Sequence, residues 1–474
     1  MNRTMTVPAG TRLAALPAHR LREMIGKREI SIPELVADSL AAIDALDGAL
    51  NAFIATCPER ALAEAGAAQA RLRAGGPLPP LLGLPLAVKD AEPVAGLPFA
   101  CGSRVYSGRI ATEDSVHVAR LRAAGAIVVG KTNTPEFTLL GETRNGLGPD
   151  TRNPWNPERT PGGSSGGSAA ALAAGFVTLA TGSDTAGSIT VPAAFCGLTG
   201  LKPSHRRIPL WPGQGDWRPF SDVGPMARNM PDLSLMFSAS AGADPRDPDS
   251  GVPVATGPAP GRLRIAWAPT LAGLPVDPVC AAAAETLARL FAEAGHEVRR
   301  AAPILPDPGP VLDLLGAVEE YRVRGRLLGE FADLLMPESR AILDQGRKAG
   351  SRAVEAARAT QRRLAGVFAT FMADHDLLIV PATACPAFPL RQPPRSIAGR
   401  AVVPDWPSYA PFNMLGNLTG CPAATLPVAL TDDGLPVGAL VFAKSGCDEV
   451  LLASLTQAED LRGPFPPPPV TSSR

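Results

Sequence analysis

The hydrophobic pattern near the start of the chain predicts helices. Apolar residues recur at helical spacing over residues 18–25 and again over residues 32–46. Ser31 stands directly before the second run and Glu34 follows three residues later, which is the arrangement of a capping box. We therefore expect two helices here, in an outer layer of the molecule.

Further along, short apolar runs alternate with helical patterns. Strands are expected at residues 84–88, 126–129, 176–181, 198–202, 263–267, 296–300, 377–380, 423–428 and 437–442. Helices are expected at residues 115–124, 165–174, 278–294 and 449–461. This alternation predicts an α/β fold with a large mixed sheet and helices on both of its faces.

Two regions of the pattern point to substrate recognition. Residues 311–373 are mostly helical in pattern and vary between charged and apolar, so we expect a variable specificity region at about 310–400. Residues 205–220 are rich in Arg, Pro and Trp, which is typical of a long ordered loop. That loop is either a pocket rim, which would bring Arg207 and Trp211 to the substrate, or a surface excursion.

Composition narrows the class of protein. The 474 residues are 45% hydrophobic, enough for a large core, and length alone favours more than one domain, although no linker is evident. Equal numbers of basic and acidic residues, 45 each, favour small neutral partners over nucleic acid or an acidic membrane. Seven scattered cysteines without a C-x-x-C pair predict reduced thiols and no metal site. With neither a signal-peptide pattern nor a membrane-spanning run, a soluble, cytoplasmic protein is expected.

Two glycine-serine turns are the strongest candidates for chemistry. They lie at residues 163–167 and 185–188 and border apolar runs, whereas a Gly/Ser linker would be polar throughout. Upstream, Lys89 and Asp90 end the strand predicted at residues 84–88, the usual position for chemistry in an α/β sheet. Only six of the 45 basic residues are lysines. A lysine at the end of an apolar strand is therefore a candidate functional residue and not one of many surface charges. The alternative is a strand-end lysine that reaches to solvent.

Histidine-dependent chemistry is disfavoured. None of the five histidines lies in a G-x-S-x-G setting, and the one nearest the turns, His205, is followed by two arginines and no orienting carboxylate. The GGSSGGS turn also lacks the lysine that a phosphate-binding P-loop requires. Lysine is therefore the available base.

These motifs together resemble the amidase signature hydrolases. The resemblance rests on the following segments: residues 83–90 (GLPLAVKD), 131–133 (KTN), 160–204, 223–226 (VGPM), 411–413 (PFN) and 435–438 (LPVG). It implies a Ser-cis-Ser-Lys triad, with Ser188 as nucleophile, Ser164 as the bridging serine and Lys89 as base, and it implies no cofactor. It also implies one α/β/α domain over residues 1–474, with the core of the site within residues 80–230.

Physical chemistry is consistent with these roles. Burial disfavours the charged form of a lysine, so a buried Lys89 can act as a base. The turn Thr185-Ala186-Gly187-Ser188 would present backbone N–H groups as an oxyanion hole. We therefore expect a hydrolase that cleaves neutral carboxylic amides or anilides through an acyl-enzyme, with carbamates (urethanes) and esters chemically accessible. Its oligomeric state, monomer or homodimer, stays open.

Two residues depart from the family pattern GSDTGGSIR. Ala186 replaces a glycine, which is acceptable only if that position does not need a left-handed backbone. Thr190 replaces the arginine that in the family pairs with the aspartate matching Asp184. Losing that cation favours neutral substrates. Thr138 and Leu139, at positions matching the substrate pocket of lipid-amide relatives, favour them too because they are small or apolar.

A second hypothesis is the glutaminase-like A subunit of a tRNA-dependent amidotransferase. Such relatives usually carry a paired-tyrosine motif in the region matching residues 346–368, and no tyrosine occurs there. The turn that carries Thr190 instead of arginine also argues against this hypothesis. A catalytically inactive scaffold is disfavoured because Lys89, Ser164 and Ser188 are all present.

Overall fold

A computed structural model of the chain describes residues 12–213, 219–251, 254 and 261–469. The helices in these residues are α1 (Ala18–Gly26), α2 (Ile32–Leu50), α3 (Pro58–Ala74), α4 (Val116–Ala123), α5 (Gly166–Ala173), α6 (Thr190–Phe195), α7 (Met230–Ser240), α8 (Pro278–Glu293), α9 (Gly309–Arg324), α10 (Leu327–Glu330), α11 (Pro337–Lys348), α12 (Ser351–Ala373), α13 (Trp406–Tyr409), α14 (Met414–Thr419) and α15 (Asp448–Arg462). None of them is long and apolar enough to cross a membrane.

The strands in the same residues are β1 (Phe53–Thr56), β2 (Pro85–Lys89), β3 (Ile127–Thr132), β4 (Leu179–Asp184), β5 (Thr199–Lys202), β6 (Asp222–Ala227), β7 (Arg264–Trp267), β8 (Glu297–Arg300), β9 (Leu377–Pro381), β10 (Ser396–Ile397), β11 (Arg400–Ala401), β12 (Ala423–Leu430) and β13 (Pro436–Ala443). Eleven of them form one sheet in the order β1-β3-β2-β4-β6-β5-β12-β13-β9-β7-β8, and β10 pairs with β11. In the large sheet β2 runs parallel to β3 and β4, whereas β4, β6, β5, β12, β13 and β9 pair antiparallel in turn. The sheet is therefore mixed, as predicted.

Helices cover both faces of the sheet. Alternate residues of a strand point to opposite faces, and β9 shows this directly. Leu378 and Val380 pack in one core cluster with Phe368 of α12, whereas Leu377 and Ile379 pack in another with Phe291 of α8. The strand is consequently apolar along its whole length, as expected for a strand that is buried on both faces.

Local sequence explains how several elements begin. Ser31 accepts a hydrogen bond from the backbone N–H of Glu34, and the Glu34 side chain accepts one from the backbone N–H of Ser31, so the predicted capping box starts α2. β4 begins at Leu179, three residues later than the strand predicted from Phe176, and ends at Asp184. Because the strand ends at Asp184, Ser183 lies within β4, which pairs with β2.

Candidate active site

Lys89 lies at the centre of the candidate site. It is the last residue of β2, whose neighbours β3 and β4 are both parallel to it. The carboxyl ends of these three strands therefore meet at one edge of the sheet, where α/β folds commonly bind ligands. The Lys89 side chain is fully buried there, although lysine is otherwise rarely buried without partners.

Three serine hydroxyls surround the Lys89 amine. The Nζ atom lies 2.7 Å from Ser164 Oγ, 2.9 Å from Ser165 Oγ and 3.0 Å from Ser183 Oγ. Burial lowers the pKa of Lys89 from 10.5 to about 7, and the negative charges of Asp184 and Glu92 oppose that shift only in part. A large share of the amine is therefore neutral at neutral pH and able to accept a proton.

The turn that carries Ser164 is closely packed. The Gly163–Ser164 peptide bond is cis. A side chain on Gly163 would place its Cβ atom 2.8 Å from Leu140 O, so only glycine fits at this position. Ser165 follows, and its backbone N–H donates to Ser188 O at 3.2 Å. This hydrogen bond joins the two glycine-serine turns that the sequence singles out.

Ser188 lies in the turn between β4 and α6. Asp184 fixes this turn, because its carboxylate accepts hydrogen bonds from the backbone N–H groups of Gly187 and Ile189, both at 2.7 Å. Gly187 has φ +112°, and a Cβ atom there would lie 2.4 Å from Asn413 Cβ. Ala186 is not among the described residues with positive φ, which is the condition under which alanine is acceptable in place of glycine.

The backbone donors of this turn are not equivalent. All four residues from Thr185 to Ser188 are expected to contribute N–H groups to an oxyanion hole, but the Gly187 N–H already donates to Asp184. The N–H groups of Thr185, Ala186 and Ser188 make no hydrogen bond to any residue within the described ranges. These three groups are the donors that the structure leaves for a substrate oxygen.

Ser188 faces a cavity of about 190 Å³. Thr138 and Leu139 line it, and the remaining lining is largely apolar, including Phe137, Leu140 and Trp406. Leu312 and Ala317 of α9 and Ile342 of α11 also line it, so the helical region around residues 310–400 contributes to this cavity. A mostly apolar group bound beside Ser188 would be largely removed from water.

Arg207 and Trp211 do not line this cavity in the part of the chain that the structure describes. The Arg207 guanidinium forms an ion pair with Glu449 and lies 5.6 Å from the centre of the Phe237 ring. The Trp211 side chain is exposed. Arg207 contacts α7 and α15 and does not line the cavity, contrary to the expectation; among residues 205–213 and 219–220 of the loop, Leu210 lines it.

At the position of the missing arginine, the Thr190 side chain hydrogen-bonds to a neutral amide, while its backbone N–H donates to the Asp184 carboxylate at 3.4 Å. Asn413 Nδ2 donates to Thr190 Oγ1 at 2.9 Å, and Thr425 Oγ1 donates to Thr190 O at 3.1 Å. Burial raises the pKa of Asp184, while its backbone hydrogen bonds and the positive charge of Lys202 oppose that shift. Backbone N–H groups and Lys202 thus favour the charged form of the Asp184 carboxylate.

Sequence reasoning did not find Ser165 or Ser183, although both contact the Lys89 amine. Ser165 directly follows Ser164, and Ser183 directly precedes Asp184, so proximity to the two motifs was the available signal. Across residues 12–213, 219–251, 254 and 261–469, no group of three or more His, Cys, Asp or Glu side chains is arranged to hold a metal ion.

Comparison with known proteins adds independent information. The family model described as Amidase matches residues 34–452. An acylamidase of Rhodococcus erythropolis is 34% identical over 464 residues, covering 94% of this chain and 95% of that protein. The A subunit of the glutamyl-tRNA(Gln) amidotransferase of Thermus thermophilus is 35% identical over 474 residues, covering 94% and 96%. The structure of 6-aminohexanoate cyclic dimer hydrolase in complex with its substrate superposes with a TM-score of 0.87 at 29% identity, covering 97% of this chain and 100% of that one.

Proposed function

The chain belongs to the amidase signature family, and from that premise we propose that it hydrolyses neutral carboxylic amides through an acyl-enzyme on Ser188. The observation that carries the proposal is the 2.7 Å contact between Lys89 Nζ and Ser164 Oγ at a fully buried position. A lysine whose pKa is lowered to about 7 and a hydroxyl group that can relay a proton meet there, in the turn hydrogen-bonded to Ser188.

The proposed reaction begins with attack on the amide carbonyl. Ser188 Oγ forms a bond to the carbonyl carbon while its proton passes to Ser164, and the Ser164 proton passes to neutral Lys89. The tetrahedral intermediate then expels the amine, which takes a proton back through Ser164 from the Lys89 ammonium. Water hydrolyses the resulting Ser188 ester by the same relay, and the products are a carboxylic acid and an amine.

Negative charge on the carbonyl oxygen is stabilised by backbone donors. The N–H groups of Thr185, Ala186 and Ser188 serve as the oxyanion hole in this proposal, because the Gly187 N–H is engaged by Asp184. Loss of one such donor typically slows acyl transfer by about 100- to 1,000-fold. Asp184 therefore stabilises the turn by accepting hydrogen bonds from its backbone and contributes no donor to the oxyanion hole.

The lining of the cavity supports apolar substrate groups. Most of its lining consists of apolar side chains, which suit alkyl or aryl groups of an amide or anilide, and Asp313, Arg324 and Gln345 are its charged and amide-bearing members. Carbamates and esters present the same carbonyl to the same donors, so urethanase and esterase side activities belong to the proposal.

The proposal is tested with a panel of p-nitroanilides, carbamates and esters. Ser188→Ala and Lys89→Ala are each expected to lower kcat by about 10,000-fold or more, since the members of such a relay act as one unit. A matched control is Ser107→Ala, a serine that lies outside the cavity lining. Turnover near that of the wild-type protein in either triad variant would overturn the assignment.

A second candidate function is that of an amidotransferase A subunit. The match to the Thermus thermophilus protein over nearly the whole chain favours it. Release of ammonia from glutamine that rises when a second subunit is supplied would support this function. Full activity of the isolated chain on anilides, without glutaminase activity, would argue against it.

A further inference from the structure

We propose that Arg324 is a specificity-positioning residue, which holds the Phe137–Leu140 wall of the cavity in the one conformation that recognises large apolar substrate groups. This inference rests on the proposed amide hydrolysis at Ser188. It concerns the part of the cavity lining where Arg324 of α9 contacts Phe137, in the segment that follows β3.

The cavity wall has an unusual backbone. Phe137 has φ +51° and Thr138 has φ +65°, so two consecutive residues other than glycine adopt the left-handed region. This region is disfavoured for Thr138 in particular, because its side chain branches at Cβ. Such a conformation persists only where the surrounding structure determines it. Thr138, Leu139 and Leu140 all line the cavity, so the conformation decides where the wall stands.

Hydrogen bonds hold the start of this segment. The backbone N–H of Phe137 donates to Cys101 O at 2.8 Å. The carboxylate of the preceding residue, Glu136, accepts from Ser103 Oγ and from the backbone N–H of Met336, both at 2.7 Å. The second of these contacts ties the wall to the start of α11.

Arg324 completes the enclosure of the Phe137 ring. Its guanidinium lies 4.6 Å from the centre of that ring, while Tyr106 packs against the ring edge-on at 5.6 Å. The guanidinium nitrogen Nη1 donates to both carboxylate oxygens of Glu320, at 2.6 Å and 2.7 Å. Arg324 and Glu320 are both buried, and their ion pair fixes this cation one helical turn from its anion.

This arrangement goes beyond an ordinary buried ion pair. Arg324 itself lines the cavity, and its contact with Phe137 is the point where α9 meets the left-handed segment. Removing the Arg324 guanidinium frees the Phe137 ring on one side. Thr138 and Leu139 can then relax towards ordinary backbone conformations. Large acyl or aryl groups, which need a fixed wall, are affected, whereas an acetyl group is not.

The test measures selectivity in the full chain. Glu320→Leu/Arg324→Met removes the ion pair without leaving either charge unpaired, and Arg324→Lys keeps a cation over Phe137. Each variant is assayed on hexanoyl and acetyl p-nitroanilide, with the melting temperature recorded. We expect the hexanoyl-to-acetyl ratio of kcat/KM to fall about tenfold in the double variant, mainly through a higher KM for the hexanoyl substrate. Arg324→Lys should retain most of the wild-type ratio.

Arg322→Met is the matched control on the same helix, because its partner Glu319 lies outside the cavity lining, and it should leave the ratio unchanged. Should the double variant fail to fold, Phe137→Leu removes the same contact from the other side and should lower the ratio alike. An unchanged ratio in a folded variant, with or without a lower melting temperature, would overturn the inference. Absence of Ser188-dependent activity in the wild-type chain would instead refute the proposed function.

Discussion

The Nζ atom of Lys89 and the Oγ atom of Ser164 lie 2.7 Å apart at a position closed to solvent. Because burial lowers the pKa of Lys89 to about 7, we expect kcat/KM to rise with pH up to that value and then to level off. Below it, the rate should fall about tenfold for each pH unit, since protonated Lys89 cannot accept a proton. A pH–rate profile on a neutral anilide measures this, and a profile flat from pH 5 to 9 would exclude Lys89 as the base.

The same pKa shift makes stability depend on pH. The folded-state pKa of Lys89, about 7, lies below its ordinary value of 10.5, so the unfolded chain binds the proton more tightly. The contribution of Lys89 to the free energy of unfolding should therefore rise with pH between about 7 and 10.5. Relative to Lys89→Met, the wild-type chain should gain roughly 2–3 kcal/mol between pH 6 and pH 9, measured by urea unfolding.

Lys27→Met serves as the control for that measurement, because Lys27 is exposed. Its difference from the wild-type chain should stay constant over the same range of pH. A constant difference for Lys89→Met as well would show that Lys89 is protonated in the folded protein at neutral pH.

Glycine is required at position 187 and dispensable at position 186. Gly187→Ala places a methyl group 2.4 Å from Asn413 Cβ on a backbone with φ +112°. We expect a lower melting temperature and a loss of kcat of about 100-fold, because the turn that presents Ser188 must move. Ala186→Gly should stay within about threefold of wild type. Equal effects of the two substitutions would contradict this assignment of backbone roles.

Thr190 and Asn413 form a buried neutral pair. Thr190→Val keeps the shape of the side chain but removes the acceptor for Asn413 Nδ2, and should lower the free energy of unfolding by about 1–3 kcal/mol. Thr190→Ser, which keeps the hydroxyl group, should lose less. In a double-mutant cycle with Asn413→Leu, the two changes should be clearly less than additive. Simple additivity would show that the hydrogen bond contributes nothing to stability.

The sequence predicted the mixed sheet because most of its strands are short apolar runs. Two strands of the large sheet, β1 and β6, are not predicted. The four residues of β1 at the sheet edge are only partly buried and show no clear alternation, and β6 contains Gly224 and Pro225, which are poor strand formers. β4 was placed three residues too early because Gly182, Ser183 and Asp184 are poor strand formers. Pairing with β6, which sets Asp184 opposite Asp222, overrides that local preference.

The residues of the candidate site also fall into two groups, those that the sequence displays in motifs and those that only the fold reveals. Lys89, Ser164 and Ser188 stood in motifs that the sequence displays, and the roles assigned to them stay a prediction until the variants are assayed. The contact of Ser183 with Lys89 depends on the register of β4, which local sequence does not reveal. Arg324 reaches Phe137 from a helix almost two hundred residues away, and only the tertiary fold shows that approach.

Two separate parts of the chain contribute different features of the site. The residues proposed to carry out the reaction come from positions 89–188, whereas α9 and α11, within residues 309–348, contribute a share of the cavity lining, which Leu210, Ser221, Val223 and Trp406 complete. Selection on the second part can therefore alter which amides are accepted while the first part, and the chemistry it performs, stays constant. A chimera that receives residues 309–348 from a relative should inherit that relative's substrate preference, provided that the contacts of Arg324 with Phe137 and of Met336 with Glu136 are transferred with the segment.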